Sequence, residues 1–306
     1  MKKTIFADIS LLLVTLVWGS TFVLVKNAID SLEPFSFNGV RFLIAAIVLI
    51  VCLLLFDRKQ LKQLNLKIMV SGVIIGFWLF LGYATQTIGL LYTTSSKAGF
   101  ITGLNVVFVP LISMFLVKLY PSRNAVLGIL VATIGLFLLT MTDVTALNIG
   151  DGFVFLCSIS FAMQIILTGK YSSRFPTLLL TVIQITTCAI FSIISSFIFE
   201  DWKKSLNVHI LFSKNVLTAL IITSILATAV AFFVQTNFQK YTTATRVALI
   251  FAMEPVFAAI TGYFWAGERL SVSALMGCIL IFAGMIFAEV PVKKITFLRK
   301  NKSLQS

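Results

Sequence analysis

The tract Gln86–Gly135 recurs without a gap, 149 residues later, as Gln235–Gly284. Gln86-Thr87 returns as Gln235-Thr236, Tyr92-Thr93-Thr94 as Tyr241-Thr242-Thr243, and Lys97 as Arg246. Ser122, Gly128 and Gly135 return as Ser271, Gly277 and Gly284. Shared apolar composition would align Leu with Leu. It does not reproduce Gln-Thr, four intervening residues, and then Tyr-Thr-Thr. A fold for this chain must therefore be assembled from two copies of one unit.

Composition says where that unit folds. Hydrophobic residues make up 59% of the chain and charged ones 11%, whereas a soluble domain carries about a quarter charged residues. A bilayer crossing takes about 20 apolar residues, and in lipid only helices or closed barrels satisfy their own backbone. Long apolar runs lie at 7–29, 35–56, 68–91, 95–119, 123–141, 150–171, 176–199, 214–239, 244–266 and 271–290. The fold class is an all-α integral membrane protein with about ten transmembrane helices. The first run follows Lys2-Lys3 as a signal peptide would, but it is too long and lacks a small-x-small cleavage site, so it is expected to stay as a helix.

Gln86 falls in the third run and Gln235 in the eighth, so each unit holds five helices. Five is odd, and the second unit therefore enters the membrane from the opposite side. The domains are a first repeat at 7–141, an inverted second repeat at 150–290 and a basic tail at 291–306. Paired inverted units of this kind can rock about a shared interface and open to either side, which points to transport. With both termini in the cytoplasm, seventeen of the twenty-four Lys and Arg residues fall on cytoplasmic segments, as the positive-inside rule requires. That bias accounts for the net charge of +13 without a nucleic-acid partner, and it places the chain in the cell membrane.

Polar side chains inside spans are costly unless they find a partner or line a cavity. Trp18-Gly19-Ser20-Thr21 lies mid-way along the first run, where Gly19 allows a kink or a close helix approach. Trp78, Tyr83 and Gln86 mark the third, Asn105 the fourth, Gln164 the sixth and Gln235 the eighth. The 149-residue offset maps Asn105 onto Glu254, so both repeats carry a polar group at one depth. Trp18, Thr21, Trp78, Gln86, Asn105, Gln164, Gln235 and Glu254 are the candidate cavity residues; each taken alone also fits an ordinary interhelical hydrogen bond or packing contact. Glu254 is the acid nearest mid-membrane. Pro255 follows it and frees the carbonyl of Phe251, so a carboxyl there can take a proton or a cationic group, which makes Glu254 the candidate for proton coupling.

Three cations are candidates for an anion site or a gate. Arg41 lies one turn past Asn38 on one helix face. Lys97 and Arg246 start equivalent helices on opposite faces of the membrane, where free backbone N–H groups favour anions; snorkelling or structural pairing is the simpler alternative for all three.

Enzyme chemistry finds little support. Cys52, Cys157, Cys188 and Cys278 are isolated within spans, without redox or metal-ligand spacing. The single histidine, His209, lies in a loop. No Gly-x-Ser-x-Gly, His-Glu-x-x-His or phosphate-binding loop occurs. No enzyme, metal or cofactor is expected. A sensor or assembly subunit is the alternative, an intramembrane enzyme a more distant one.

Trp18-Gly19-Ser20-Thr21-Phe22, Arg41-Phe42-x-x-Ala45 and Glu254-Pro255 followed by Gly267-Glu268-Arg269-Leu270-Ser271 resemble the EamA-type drug/metabolite transporters, over nearly the whole chain. The resemblance implies ten helices in two inverted repeats, a central cavity, and secondary transport of a small metabolite or drug, such as an amino acid, with export the expected direction. Partners would be the lipid bilayer, the small-molecule substrate and possible coupling protons, with the chain acting as a monomer or homodimer. The first repeat departs from the second in having Asn105-Val106 where Glu254-Pro255 stands.

Overall fold

In the computed structural model the described residues are 2–29, 31–93, 95–140, 148–201, 207–265 and 270–289. Glu268, Arg269 and the basic tail lie outside them. Ten helical spans follow one another: α1 (Lys2–Ile29), α2 (Pro34–Phe56), α3 (Leu66–Leu90), α4 in two pieces, α4a (Ser95–Gly103) and α4b (Asn105–Leu116), α5 (Arg123–Thr140), α6 (Ile149–Ser172), α7 (Thr177–Phe199), α8 (214–239), α9 as α9a (Ala244–Phe251) and α9b (Glu254–Trp265), and α10 (Val272–Glu289). Nine are long and apolar enough to cross a membrane; α10 supplies a shorter apolar helix, Val272–Ala288.

The helix starts show why several repeated polar residues are where they are. Ser122 Oγ accepts from Ala125 N at 3.1 Å and Ser271 Oγ accepts from Ala274 N at 3.1 Å, so the recurring serine is the N-cap of α5 and of α10. Asn148 and Asp151 form a capping box at the start of α6. Pro34 opens α2, where its missing N–H would be unpaired in any case.

The repeated glycines bring two helices into backbone contact. A Cβ on Gly128 would stand 2.5 Å from the Gly284 carbonyl oxygen, and one on Gly135 would stand 2.7 Å from that of Gly277. Since 128 pairs with 284 and 135 with 277, α5 and α10 run antiparallel. The 149-residue offset turns each contact into the other, the behaviour of a two-fold axis across the pair. The fold is thus two inverted five-helix repeats. The opposite side of α5 exposes Leu127, Leu130, Ile134 and Phe137, an apolar exterior that suits lipid rather than water.

The offset changes along the chain. Aromatic pairs show it: the Tyr83 and Phe161 ring centroids are 5.3 Å apart, and those of Phe232 and Trp18 are 5.4 Å apart. Tyr83 and Phe232 are 149 residues apart, but Trp18 and Phe161 are 143 apart. Six additional residues therefore lie in the second repeat between its first helix and its third.

Three spans are interrupted at mid-depth. α4 breaks at Leu104 and α9 at Ala252-Met253, nearly equivalent places. Pro255 at the second position of α9b costs no hydrogen bond in that new helix, and Glu254 suits the positive end of its dipole. α8 passes through a π-helical turn at Ile225–Val230, an irregularity often found at functional sites.

Candidate functional site

A cavity of about 80 Å³ lies between the halves, lined by residues of α1, α2, α3, α4, α6, α8 and α9. At roughly 10–15 Å³ per water it has room for several waters. It extends from mid-depth towards the face that bears the C-terminal end of α1; the face bearing the N-terminus of α1 is called the N face below, and the other the far face.

Gly19 fixes one wall. A Cβ there would meet the Glu254 carbonyl oxygen at 2.6 Å and Phe257 Cβ at 2.8 Å, so only glycine lets α1 lie directly on the start of α9b. That approach sets Trp18 and Thr21 beside Glu254. Trp18 Nε1 donates to the Ala227 carbonyl at 2.8 Å, inside the π turn of α8. Its ring, with those of Phe232, Tyr83 and Phe161, forms a two-fold-related aromatic base, with Tyr83 and Phe232 meeting across the axis at 6.4 Å.

Arg41 reaches the same space from α2. Its side chain is 3% exposed; Nε donates to Thr228 Oγ1 at 2.8 Å. Its guanidinium carbon lies 5.0 Å from the Tyr83 ring centroid, a cation–π contact. Arg41 and Glu254 are thus opposite charges lining one cavity, set in different halves. Two buried amide oxygens that also belong to lining residues, Asn38 Oδ1 and Asn105 Oδ1, have no hydrogen-bond partner among the described residues. A buried acceptor left unpaired is costly, so both suit a ligand's donors.

Of the candidate residues, Trp18, Thr21, Gln86, Asn105, Gln164 and Glu254 line this cavity, as does Arg41. Gln86 Nε2 donates to Thr102 Oγ1 at 3.4 Å. Two expected lining residues do not border it. Gln235 stands behind Gln164, donating to its Oε1 at 3.2 Å and to Gln239 Oε1 at 3.3 Å. Trp78 packs into the apolar core of α2, α3 and α7, its ring 6.0 Å from Phe77; its equivalent in the other half is Ala227, and the π turn there removes any symmetry between the two positions.

Lys97 and Arg246 also lie away from the cavity. Lys97 Nζ is 2.6 Å from Asp151 Oδ2, with both side chains buried. Arg246 pairs with Asp8 at 2.5 Å and is partly exposed. Phe161 and Phe232 were not singled out by sequence, while Tyr83 stood out only as a mark of the third run and Phe251 only for its carbonyl; the 149-residue offset that links Tyr83 to Phe232 was the signal available for the latter. The aspartates had no such signal, since Asp8 and Asp151 are related by 143 residues rather than 149.

Residues 5–141 and 148–289 each match the EamA-like transporter family. A chain from Archaeoglobus fulgidus described as an uncharacterized transporter is 36% identical over 95% of this chain and 88% of its own length. The uncharacterized transporter YoaV of Bacillus subtilis is 22% identical over 93% of this chain and 96% of its own. A crystal structure 19% identical in sequence superposes with a TM-score of 0.77 over 94% of this chain and 96% of that one; it shares the fold.

Proposed function

We infer, for a chain that belongs to the EamA-like transporter family, a secondary carrier that moves a small zwitterionic or amphipathic metabolite through the cavity between its halves. The observation that carries this reading is the joint lining of one cavity by Arg41 and Glu254 over an aromatic base. A carboxylate of the solute would be drawn to Arg41. Its amino group would meet Glu254 and the unpaired amide oxygens of Asn38 and Asn105, while Trp18 and Tyr83 would hold its apolar part. Binding both poles of one molecule lowers the cost of leaving two opposite charges in apolar surroundings.

The transport cycle is alternating access: the two inverted halves rock so that the cavity opens to one side at a time. The cation distribution along the sequence favours cytoplasmic termini, which makes the N face cytoplasmic, and export is the direction proposed. Glu254 is the proposed proton-coupling group, loaded or released as the cavity changes side.

Two measurements test this. A thermal-shift screen of purified protein should find amino acids and cationic amphiphiles among the stabilising compounds; sugars as the sole stabilising class would contradict the charge argument. Proteoliposomes loaded with such a compound should then show saturable counterflow. If Glu254→Gln keeps the wild-type rate with unchanged pH dependence, proton coupling through this residue is refuted.

A further inference from the structure

These two ion pairs, both outside the cavity, are one contact seen twice. Lys97 and Arg246 are related by 149 residues, and Asp151 and Asp8 by 143, the offsets that α4/α9 and α1/α6 follow. Lys97, at the start of α4, holds Asp151 at the start of α6 on the far face. Arg246, at the start of α9, holds Asp8 near the start of α1 on the N face. Each pair joins one half to the other. The N-terminus of α4 and that of α9 are thereby tied down on opposite faces.

Each cation also rides on a half-helix. α4a is separated from α4b by the break at Leu104, and α9a from α9b by the break at Ala252-Met253. Beside each break stand two cavity residues: Thr102 and Asn105 for α4, Phe251 and Glu254 for α9. Thr102 and Phe251 are equivalent under the 149-residue offset. A movement of either half-helix about its break would therefore move one face's ion pair and one cavity wall together. The aspartates, by contrast, belong to α1 and α6, which run unbroken.

We propose that α4a and α9a are two gates, latched by Lys97–Asp151 on the far face and Asp8–Arg246 on the N face, that open in alternation about the breaks at Leu104 and Ala252-Met253. The proposal rests on the carrier reading and adds to it which elements move and what holds them. With both latches formed the halves are joined at both faces, an occluded arrangement. Exposure of the cavity to one side needs one pair broken while the other stays closed. Space already exists beside α9a, where a second cavity on the N face is lined by Arg246, Thr242 and Leu249. The far-face latch is the better braced: Asp151 Oδ1 accepts from Thr93 Oγ1 at 2.6 Å and its Oδ2 accepts from Asn148 N at 2.9 Å. Thr242, the equivalent of Thr93, has a buried hydroxyl without a hydrogen-bond partner among the described residues.

The test uses full-length protein with its four native cysteines replaced by alanine and a single reporter, Leu90→Cys in the cavity on the far side or Leu249→Cys in the N-face cavity. An impermeant maleimide is applied to sealed vesicles of either orientation. Lys97→Met should raise far-side labelling at position 90 several-fold and lower N-side labelling at 249. Asp8→Asn should do the reverse. Exchanging the charges, Lys97→Asp with Asp151→Lys, should return both reporters towards their starting values, and Lys97→Arg should leave them unchanged. The proposal is overturned if the two reporters move together, if folded single variants label as the parent does, or if the exchanged pair stays as open as Lys97→Met. It is equally overturned if neither the single nor the exchanged variant folds, because the pair would then be structural cement. Labelling needs no substrate, so an error in the carrier reading would appear as absent counterflow and leave this readout intact.

Discussion

Gly128 meets Gly284 as Gly277 meets Gly135, and the Tyr83 ring packs against Phe161 as that of Phe232 does against Trp18; at the cavity wall, however, one half has Asn105-Val106 where the other has Glu254-Pro255. The same packing unit thus occurs in both halves, while the residues at the cavity wall differ. Packing can be symmetric because two helices that touch through their backbones need small residues on both sides. A cavity on the axis is under a different demand. Under the proposed function a solute without two-fold symmetry would be held by unlike groups, and the unlike groups stand at equivalent depth. The latches carry a second asymmetry, one buried and braced, the other partly exposed.

The latch comparison is open to the largest test. Lys97→Met leaves Asp151 buried without its cation, which should cost about 3–5 kcal/mol. Arg246→Met leaves a more exposed aspartate and should cost about 1 kcal/mol or less. Thermal melting of both variants in detergent reads the gap, and equal losses would erase the distinction between the two faces.

Next come the glycines. Gly135→Leu and Gly284→Leu each drive a side chain into a facing helix backbone, at an expected cost of about 3 kcal/mol for overpacking. Because the sites are equivalent, their melting temperatures should fall alike. A fall in one only would mean that the α5–α10 contact is not symmetric.

Within the cavity the halves should respond unequally. Glu254→Gln is expected to slow transport at least tenfold, about 1.4 kcal/mol in barrier terms, while Asn105→Ala should change apparent affinity more than rate. Counterflow at several substrate concentrations separates the two effects. If both variants lose rate equally, the halves share the chemistry and Glu254 has no special part in it.

The smallest effect concerns the aromatic base. Trp18→Phe keeps a ring beside Phe232 but removes the donor to the Ala227 carbonyl, at a cost of about 1 kcal/mol. Phe161→Trp, the converse change in the other half, offers no equivalent acceptor because α3 has no π turn opposite it. Melting temperatures should drop modestly for the first, with no gain from the second.

Much of this molecule was legible in one dimension. Apolar run length and scarcity of charge are local properties, and they determined the membrane class and the number of helices. The repeat determined two halves, and an odd number of helices per half made them inverted. Gly19 already indicated a close approach, and Glu254-Pro255 a break. Even Arg41 was recognisable as a group inside a span that must find a partner or line a cavity.

What the tertiary structure decided depends on neighbours far apart in the chain. Asp8 and Arg246 lie 238 residues apart, Lys97 and Asp151 54 apart, and no periodicity joins them. The six-residue change of offset hid the equivalence of the two aspartates until aromatic pairs in space restored it. Trp78 and Gln235 had the composition of cavity residues, yet the rotation of their helices turned one into the apolar core and the other behind Gln164. Composition determines that a polar or aromatic group must find a partner inside the membrane. Which partner it finds is set by helix rotation and register, and those are decided only when all ten helices pack.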